Sequence, residues 1–199
     1  MSVTNILISG VGGQGTVLAG DVIGMAARLA GLQVKASEVH GMSQRGGSVV
    51  SEVRFGDQVN SPLIPPPGAD FVLGMELLEG LRGASRLRPG GLLIVNRQRI
   101  VPSSVTYGKA EYPPQIEDRI RAACPDALIV DALSIASALG NPRAANVVLL
   151  GLLSTRCALP LECWTEALAR CVKPRFLNDN MEAFHQGRTA AAVPAGSEA

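Results

Sequence analysis

The sequence predicts an α/β protein, a three-layer α/β/α, Rossmann-like domain built on a mostly parallel, mixed sheet. Three observations carry that reading. Short apolar runs of strand length alternate along the chain with stretches of helical spacing, the pattern that puts helices on both faces of a parallel sheet. The first run passes through glycines at 10, 12 and 15 into a helical pattern, a strand–turn–helix signature. The segment 48–55 instead alternates apolar with polar residues, as an antiparallel or edge strand with one wet face does.

The elements follow in order. Asn5 to Ser9 is the opening strand, and from Thr16 the residues Val17, Leu18, Gly20, Asp21, Ile23, Gly24 and Ala27 keep a helical period. Gln33 to Ala36 reads as a second, short strand, and Ser48 to Phe55 as a third, closed by a turn at Gly56 and Asp57. Ser61-Pro62 and Pro65-Pro66-Pro67-Gly68 lack several amide donors, so they form a stiff loop outside helix interiors and central strands. Asp70 to Gly74 is a buried-strand candidate that runs into helical spacing over Met75 to Arg82. Pro89-Gly90-Gly91 makes a turn before the apolar strand Leu92 to Asn96. Pro113-Pro114 opens a helix through Ala123, since proline suits a first helical turn. Ala127 to Asp131 is a strand, and the helix from Ala132 to Leu139 is broken by Gly140-Asn141-Pro142. Three helices close the chain, Asn146 to Ser154, Leu161 to Val172 and Asn178 to Gly187, with a break at Lys173-Pro174-Arg175. Residues 1–187 thus read as one domain, and 188–199, small and polar, as a flexible tail.

At 199 residues, 47% apolar and 18% charged, the chain has material for a single large core. A net charge of +1, with Arg45, Arg54, Arg82, Arg86, Arg88, Arg97 and Arg99 scattered and not interleaved with aromatics, argues against nucleic acid as a partner. No signal-peptide pattern precedes the first strand, and the longest apolar stretch, Val147 to Leu153, is too short to span a bilayer. The expectation is a cytoplasmic protein with no membrane association. Cys124, Cys157, Cys163 and Cys171 contain no C-x-x-C, the spacing typical of structural zinc and iron–sulfur ligands. Buried thiols in a reducing compartment account for them, although His185 offers a third donor to Cys163 and Cys171. No metal is expected on this chain.

Two glycine-rich segments carry the chemistry. In the first, Gly10, Gly12, Gly13 and Gly15 let the backbone turn tightly and bring its amides and a helix N-terminus close to an anion. A dinucleotide site also needs an acid at the end of the second strand for the ribose. Glu38 is available, or Lys35 and Arg45 for a 2′-phosphate, but Glu38 falls late and Gln14 puts a long side chain inside the turn. Tyr107, Lys109 and Tyr112 are not grouped as a proton relay would be. G-x-S-x-G and H-E-x-x-H are absent, and the phosphate-loop pattern fails because Thr16 and Val17 replace its lysine and hydroxyl. In the second segment, Glu38 to Gly47, the glycines Gly41, Gly46 and Gly47 permit close approaches. Ser43, Gln44 and Arg45 there bring a hydroxyl, an amide and a guanidinium suited to a phosphate, a carboxylate or a partner's polar surface. A tight turn with an ordinary exposed arginine fits the same residues. His40 is the acid/base candidate, or a loop histidine bonded to backbone. A stand-alone NAD(P)- or nucleotide-binding enzyme or sensor, a structural module and an accessory subunit all remain compatible with these residues.

Gly10-Val11-Gly12-Gly13-Gln14-Gly15 followed by Glu38-Val39-His40-Gly41-Met42-Ser43-Gln44-Arg45-Gly46-Gly47 resembles the gamma-type domain of the 2-oxoacid:ferredoxin oxidoreductases, and within them the beta subunit of the indolepyruvate type. Ser61-Pro62, Gly74 to Arg82, Asn96, Asp131-Ala132, Gly140-Asn141, Asn146 to Gly151 and Asn180 to Gly187 extend the likeness over nearly the whole chain. Gly80 departs from it, where an alanine is expected in many relatives; the cost to that helix is up to ~1 kcal/mol. The resemblance implies oxidative decarboxylation of an arylpyruvate to its acyl-CoA, with coenzyme A as co-substrate and electrons passed to ferredoxin. It places thiamine diphosphate, magnesium and the [4Fe–4S] clusters on a larger (alpha) partner subunit, and no cofactor on this chain. The absence of a G-D-G…N segment, the thiamine diphosphate motif, agrees with that division, so this chain is expected to be inert alone. Carried over position by position, Gly10, Gly12, Gly13, Gln14, Gly15 and Thr16, together with Glu38, Gly41, Met42, Ser43, Gln44, Arg45, Gly46 and Gly47, face the partner's active site or a cofactor there. Glu76 and Asn96 join them, and His40 and Arg45 are the candidate contributors to catalysis. An apolar partner-facing surface left bare would favour a homodimer of the isolated chain.

Overall fold

The computed structural model describes residues 2–40, 47–108 and 111–191. Its centre is a six-stranded mixed sheet in the order β2-β3-β1-β4-β5-β6. The strands are β1 (Thr4–Val11), β2 (Gln33–His40), β3 (Ser48–Gly56), β4 (Ala69–Gly74), β5 (Leu87–Asn96) and β6 (Leu128–Val130). β1, β4, β5 and β6 pair in parallel, while β3 runs antiparallel to both β1 and β2. The helices are α1 (Thr16–Leu29), α2 (Leu77–Ala84), α3 (Ser103–Thr106), α4 (Ile116–Ala123), α5 (Ala132–Ala138), α6 (Ala145–Ser154), α7 (Leu161–Cys171) and α8 (Leu177–Ala190).

Strand periodicity sorts the core into two layers. Successive side chains of β1 point to opposite faces, so Ile6 and Ile8 enter one apolar cluster and Leu7 the other. The first cluster joins Val53, Phe55, Leu73 and Ile94 of the sheet to α1, α5, α6, α7 and α8, with Trp164 and Phe184 fully buried. The second joins Val72, Leu93 and Val95 to Leu77 and Leu78 of α2 and Ile116 and Ile120 of α4. Both faces of the central strands are therefore covered, which is why β1 and β4 read as continuous apolar runs. Among the described residues no helix is long and apolar enough to cross a membrane.

Several elements differ from the sequence reading. The second strand is not short: every residue from Gln33 to His40 has a partner in β3, so Glu38 lies within a strand, opposite Ser51. β3 is antiparallel but interior, between β2 and β1. Its alternation conceals a buried glutamate, because Glu52 accepts from Arg86 Nη2 at 2.7 Å and from the Ile64 amide at 2.8 Å. Pro89-Gly90-Gly91 lies inside β5, where the register with β4 jumps from Ala69–Leu87 to Phe71–Leu92. Pro113-Pro114 precedes the fourth helix, which begins at Ile116 after Gln115 in a left-handed conformation. The last helix continues to Ala190, past the boundary placed at Gly187, and Arg188 Nη1 donates to Ser154 Oγ of α6 at 2.7 Å.

Candidate functional site

The glycine turn lies at the carboxyl end of β1, beside the carboxyl ends of β4 and β5. The chain leaves β1 through α1 on one face of the sheet and leaves β4 through α2 on the other. The crevice between β1 and β4 is thus the switch point, where ligands bind in open α/β sheets. Gly15 caps α1 at φ 77, a left-handed conformation, and a Cβ there would strike the Asn146 carboxamide. Asn146 Nδ2, reaching in from α6, donates to Gly15 O at 3.2 Å. Position 15 therefore demands glycine twice, once for conformation and once for the asparagine packed on it.

The crevice is bridged by the chain's own carboxamides. Gln14 Nε2 donates to Met75 O at 2.9 Å and to Gln98 Oε1 at 3.1 Å. Asn96 Nδ2 donates to the same two oxygens, both at 3.2 Å. At the outer corners, Gln14 Oε1 accepts from the Val11 amide at 2.8 Å and Asn96 Oδ1 from the Ala132 amide at 3.1 Å. Three amides of the turn are engaged internally: Val11 with Gln14 Oε1, Gly12 with Gly47 O at 3.1 Å, and Gln14 with Val11 O at 3.1 Å. A dinucleotide phosphate would need these donors, and the long side chain at position 14 lies where it would approach.

Beside this bridge lie two buried carboxylates on one helix. Glu76, 1% exposed, is the N-cap of α2. Its Oε1 accepts from the Glu79 amide, and its Oε2 from the Ile100 amide at 3.4 Å. Burial pushes its pKa above 4.5, opposed by the amides of Glu79, Leu78 and Ile100 and assisted by the nearby charge of Glu79. Glu79 accepts from Ser48 Oγ at 2.7 Å and from Arg82 Nη1 at 2.5 Å, and its carbonyl accepts from Ser9 Oγ at 3.0 Å. The Arg99 guanidinium stacks 4.0 Å over the Tyr112 ring. The buried Tyr112 hydroxyl has its pKa raised, first by desolvation and then by the charge of Glu76.

The structure therefore brings together Gly10, Gly12, Gly13, Gln14, Gly15, Thr16, Glu76 and Asn96, with Gly47 attached through its carbonyl. Glu38 stands apart: it is exposed on β2, and β3 separates it from β1. In the dinucleotide-binding order the second strand lies next to the first, so a ribose-reading acid here is one strand too far away. Gly41, Met42, Ser43, Gln44, Arg45 and Gly46 lie outside the described residues, as does the side chain of His40. Sequence reasoning missed Gln98, Glu79, Ser48 and Asn146 as site residues. Asn146 carried a signal, a polar residue within an apolar helix; Gln98, in an ordinary polar stretch after a strand, carried none. No group of three His, Cys, Asp or Glu side chains among the described residues is placed to hold a metal, and the donors present do not fit a cluster.

Fold and site together define a Rossmann-like domain whose switch point is closed by its own side chains and whose strand order departs from the dinucleotide-binding class. The pyruvate ferredoxin/flavodoxin oxidoreductase family model matches residues 5–190. The chain is 41% identical over 191 residues to the indolepyruvate oxidoreductase subunit IorB of Archaeoglobus fulgidus, covering 94% of each. It is 41% identical over 195 residues to the corresponding subunit of Pyrococcus horikoshii, covering 94% of this chain and 95% of that one. Among solved structures it is similar to the gamma subunit of a keto/oxoacid ferredoxin oxidoreductase from Geobacter sulfurreducens, at 26% identity and a TM-score of 0.70, covering 94% and 98% of the two chains. The chain belongs to the pyruvate ferredoxin/flavodoxin oxidoreductase family, as a gamma-type subunit of a 2-oxoacid:ferredoxin oxidoreductase.

Proposed function

We propose that this chain is the smaller subunit of a cytoplasmic indolepyruvate-type oxidoreductase and is inactive without its large (alpha) partner. The complex oxidatively decarboxylates an arylpyruvate. The bond between the carboxylate and the carbonyl carbon breaks with release of carbon dioxide, the acyl carbon is transferred to the thiol of coenzyme A, and two electrons pass to ferredoxin. Thiamine diphosphate, held with magnesium on the partner, would supply the electron sink for the decarboxylation, and [4Fe–4S] clusters there would supply the path for the electrons. The observation that carries the reading is the 41% identity to an indolepyruvate oxidoreductase subunit over 94% of both chains.

This chain's part is to present a shaped surface to the partner's active site. The glycine turn from Gly10 to Thr16 carries that surface, and Gly47 is tied to it where Gly12 N meets Gly47 O. The turn meets partner backbone rather than a coenzyme A phosphate, a reading supported by the engagement of the Val11, Gly12 and Gln14 amides within the chain. His40 and Arg45 are the candidate contributors to catalysis.

Co-expression with the large subunit tests the proposal. Arylpyruvate- and coenzyme A-dependent reduction of a ferredoxin or viologen dye appears only when both chains are present, and indolepyruvate outcompetes pyruvate and 2-oxoglutarate. Turnover of a dinucleotide by this chain alone overturns it.

A further inference from the structure

Gln14 and Asn96 each commit both carboxamide protons to the same pair of oxygens, Met75 O and Gln98 Oε1. A carboxamide nitrogen has two protons and each carbonyl oxygen two lone pairs, so the four bonds saturate all four groups. The outer bonds to the Val11 and Ala132 amides extend the square to the end of β1 and the start of α5. Three corners are fixed by elements around them: Met75 follows β4 and its amide donates to Ser9 O at 2.8 Å, Asn96 ends β5 and is 2% exposed, and Gln14 sits in the glycine turn. The fourth corner, Gln98, stands two residues beyond β5 and is half-buried. Its main chain is held as well, the carbonyl accepting from the Leu77 amide at 2.8 Å and the amide donating to Asn96 O at 2.7 Å.

We propose that Gln98 is a positioning residue for the partner-facing surface: its side-chain oxygen locks Gln14 across the crevice and thereby fixes the conformation of the glycine turn. The proposal rests on the reading of that turn as the partner-facing surface. Without Gln98 Oε1, one proton of Gln14 and one of Asn96 lose their acceptor at a half-buried point. Both carboxamides then reorient toward water, and the Val11 amide loses the oxygen that holds the turn closed. The requirement is for an acceptor at this point, not for volume.

The test uses the full chain reconstituted with its large subunit, comparing Gln98→Met, which keeps the length but removes the acceptor, with Gln98→Glu, which keeps an acceptor. Gln98→Met is expected to weaken assembly about tenfold or more. Hydrogen exchange at the Val11 amide in the folded chain is expected to quicken about tenfold, and Gln98→Glu to restore both properties to within about threefold. Gln14→Met, which leaves the Gln98–Asn96 bond intact, is expected to match Gln98→Met in assembly and in exchange at Val11, and the double variant to be no worse than either alone. If Gln98→Met fails to fold, Gln98→Ala, which also lacks the acceptor, carries the same comparison with Gln98→Glu. Wild-type assembly and exchange in both methionine variants, or a Gln98→Glu chain as defective as Gln98→Met, overturns the proposal. A wild-type complex that assembles but does not turn over arylpyruvate refutes the functional reading instead and leaves the assembly comparison standing.

Discussion

Ser48 Oγ donates a 2.7 Å hydrogen bond to Glu79 Oε2, tying the first residue of β3 to the buried face of α2. Glu79 is 3% exposed, and its carbonyl takes a second hydroxyl, that of Ser9 at the end of β1. One helical residue thus anchors two interior strands near the glycine turn. Its ion pair with Arg82 adds little by itself, because the arginine side chain is 55% exposed. Glu79→Ala strands the Ser48 hydroxyl and is expected to lower stability by about 1–3 kcal/mol. Ser48→Ala should cost about 1 kcal/mol, and the double variant less than the sum. Urea denaturation of the four proteins gives the comparison, and strict additivity would show that the two side chains act independently.

The parts of this fold legible in the sequence are those set by local pattern. The glycine turn after an apolar run, and the alternation along Ser48 to Phe55, each specify backbone behaviour within a few residues, and the turn and the antiparallel strand follow. β2 was legible only to Ala36, because Glu38 and His40 become strand through pairing with β3 rather than by propensity. Pro89-Gly90-Gly91 carries every local sign of a turn, yet pairing with β4 on either side of the register jump keeps it within a strand. At the site, the glycines and Gln14 stood out because the turn confines them to consecutive positions. Their partners Met75, Asn96 and Gln98 come from the ends of two other strands, and nothing local marks an ordinary glutamine such as Gln98 as the acceptor they converge on. Glu79 was hidden for a related reason: a glutamate in an amphipathic helix reads as solvated until Ser48 and Ser9 are seen to meet it.

The crossing of α6 and α8 depends on two glycines. A Cβ at Gly151 would run into the carbonyl of Phe184, and one at Gly187 into that of Val148. Both obstacles are backbone, so neither can rotate away. Alanine has the higher intrinsic helix propensity by about 1 kcal/mol, yet Gly187→Ala is expected to lower stability by about 1–3 kcal/mol, because the helices must separate and open the core around Phe184. Gly151→Ala should do the same. Thermal unfolding followed by circular dichroism measures both, and a stabilised variant would show that the helix pair is free to shift.

Burial pushes the Cys157 thiol up to about 11. Only the thiolate alkylates, and at pH ~8 about one thiol in a thousand is ionised at that value. Cys124 and Cys171 also have raised values from burial, but both are partly exposed. Iodoacetamide applied to the folded chain is expected to label Cys124 and Cys171 well before Cys157, which reacts only after denaturation. Mass spectrometry of timed digests reports the order, and early labelling of Cys157 would mean that its pocket opens in the native state.

Glu76 makes the stability of the chain depend on pH in a direction opposite to that of a salt-bridged carboxylate. Desolvation raises its pKa above 4.5 in the folded state, against the pull of the Glu79, Leu78 and Ile100 amides. Below 4.5 both folded and unfolded chains hold the proton, so the cost of burying the charge is absent. Between 4.5 and the raised value the unfolded chain releases the proton and the folded chain keeps it, so stability falls as pH rises; above the raised value the slope ends. Besides burial and the three amides, the charge of Glu79 adds to the rise, and the charge of Glu76 is felt in turn by Tyr112. Glu76→Gln removes the titration while leaving an oxygen to cap α2. The stability of the native chain relative to that variant is therefore expected to decline from pH about 4 upward and then level off. Urea midpoints of the two proteins across that range supply the difference curve. A curve that rises with pH would mean that a cation or further donors hold the Glu76 carboxylate more strongly than burial opposes it.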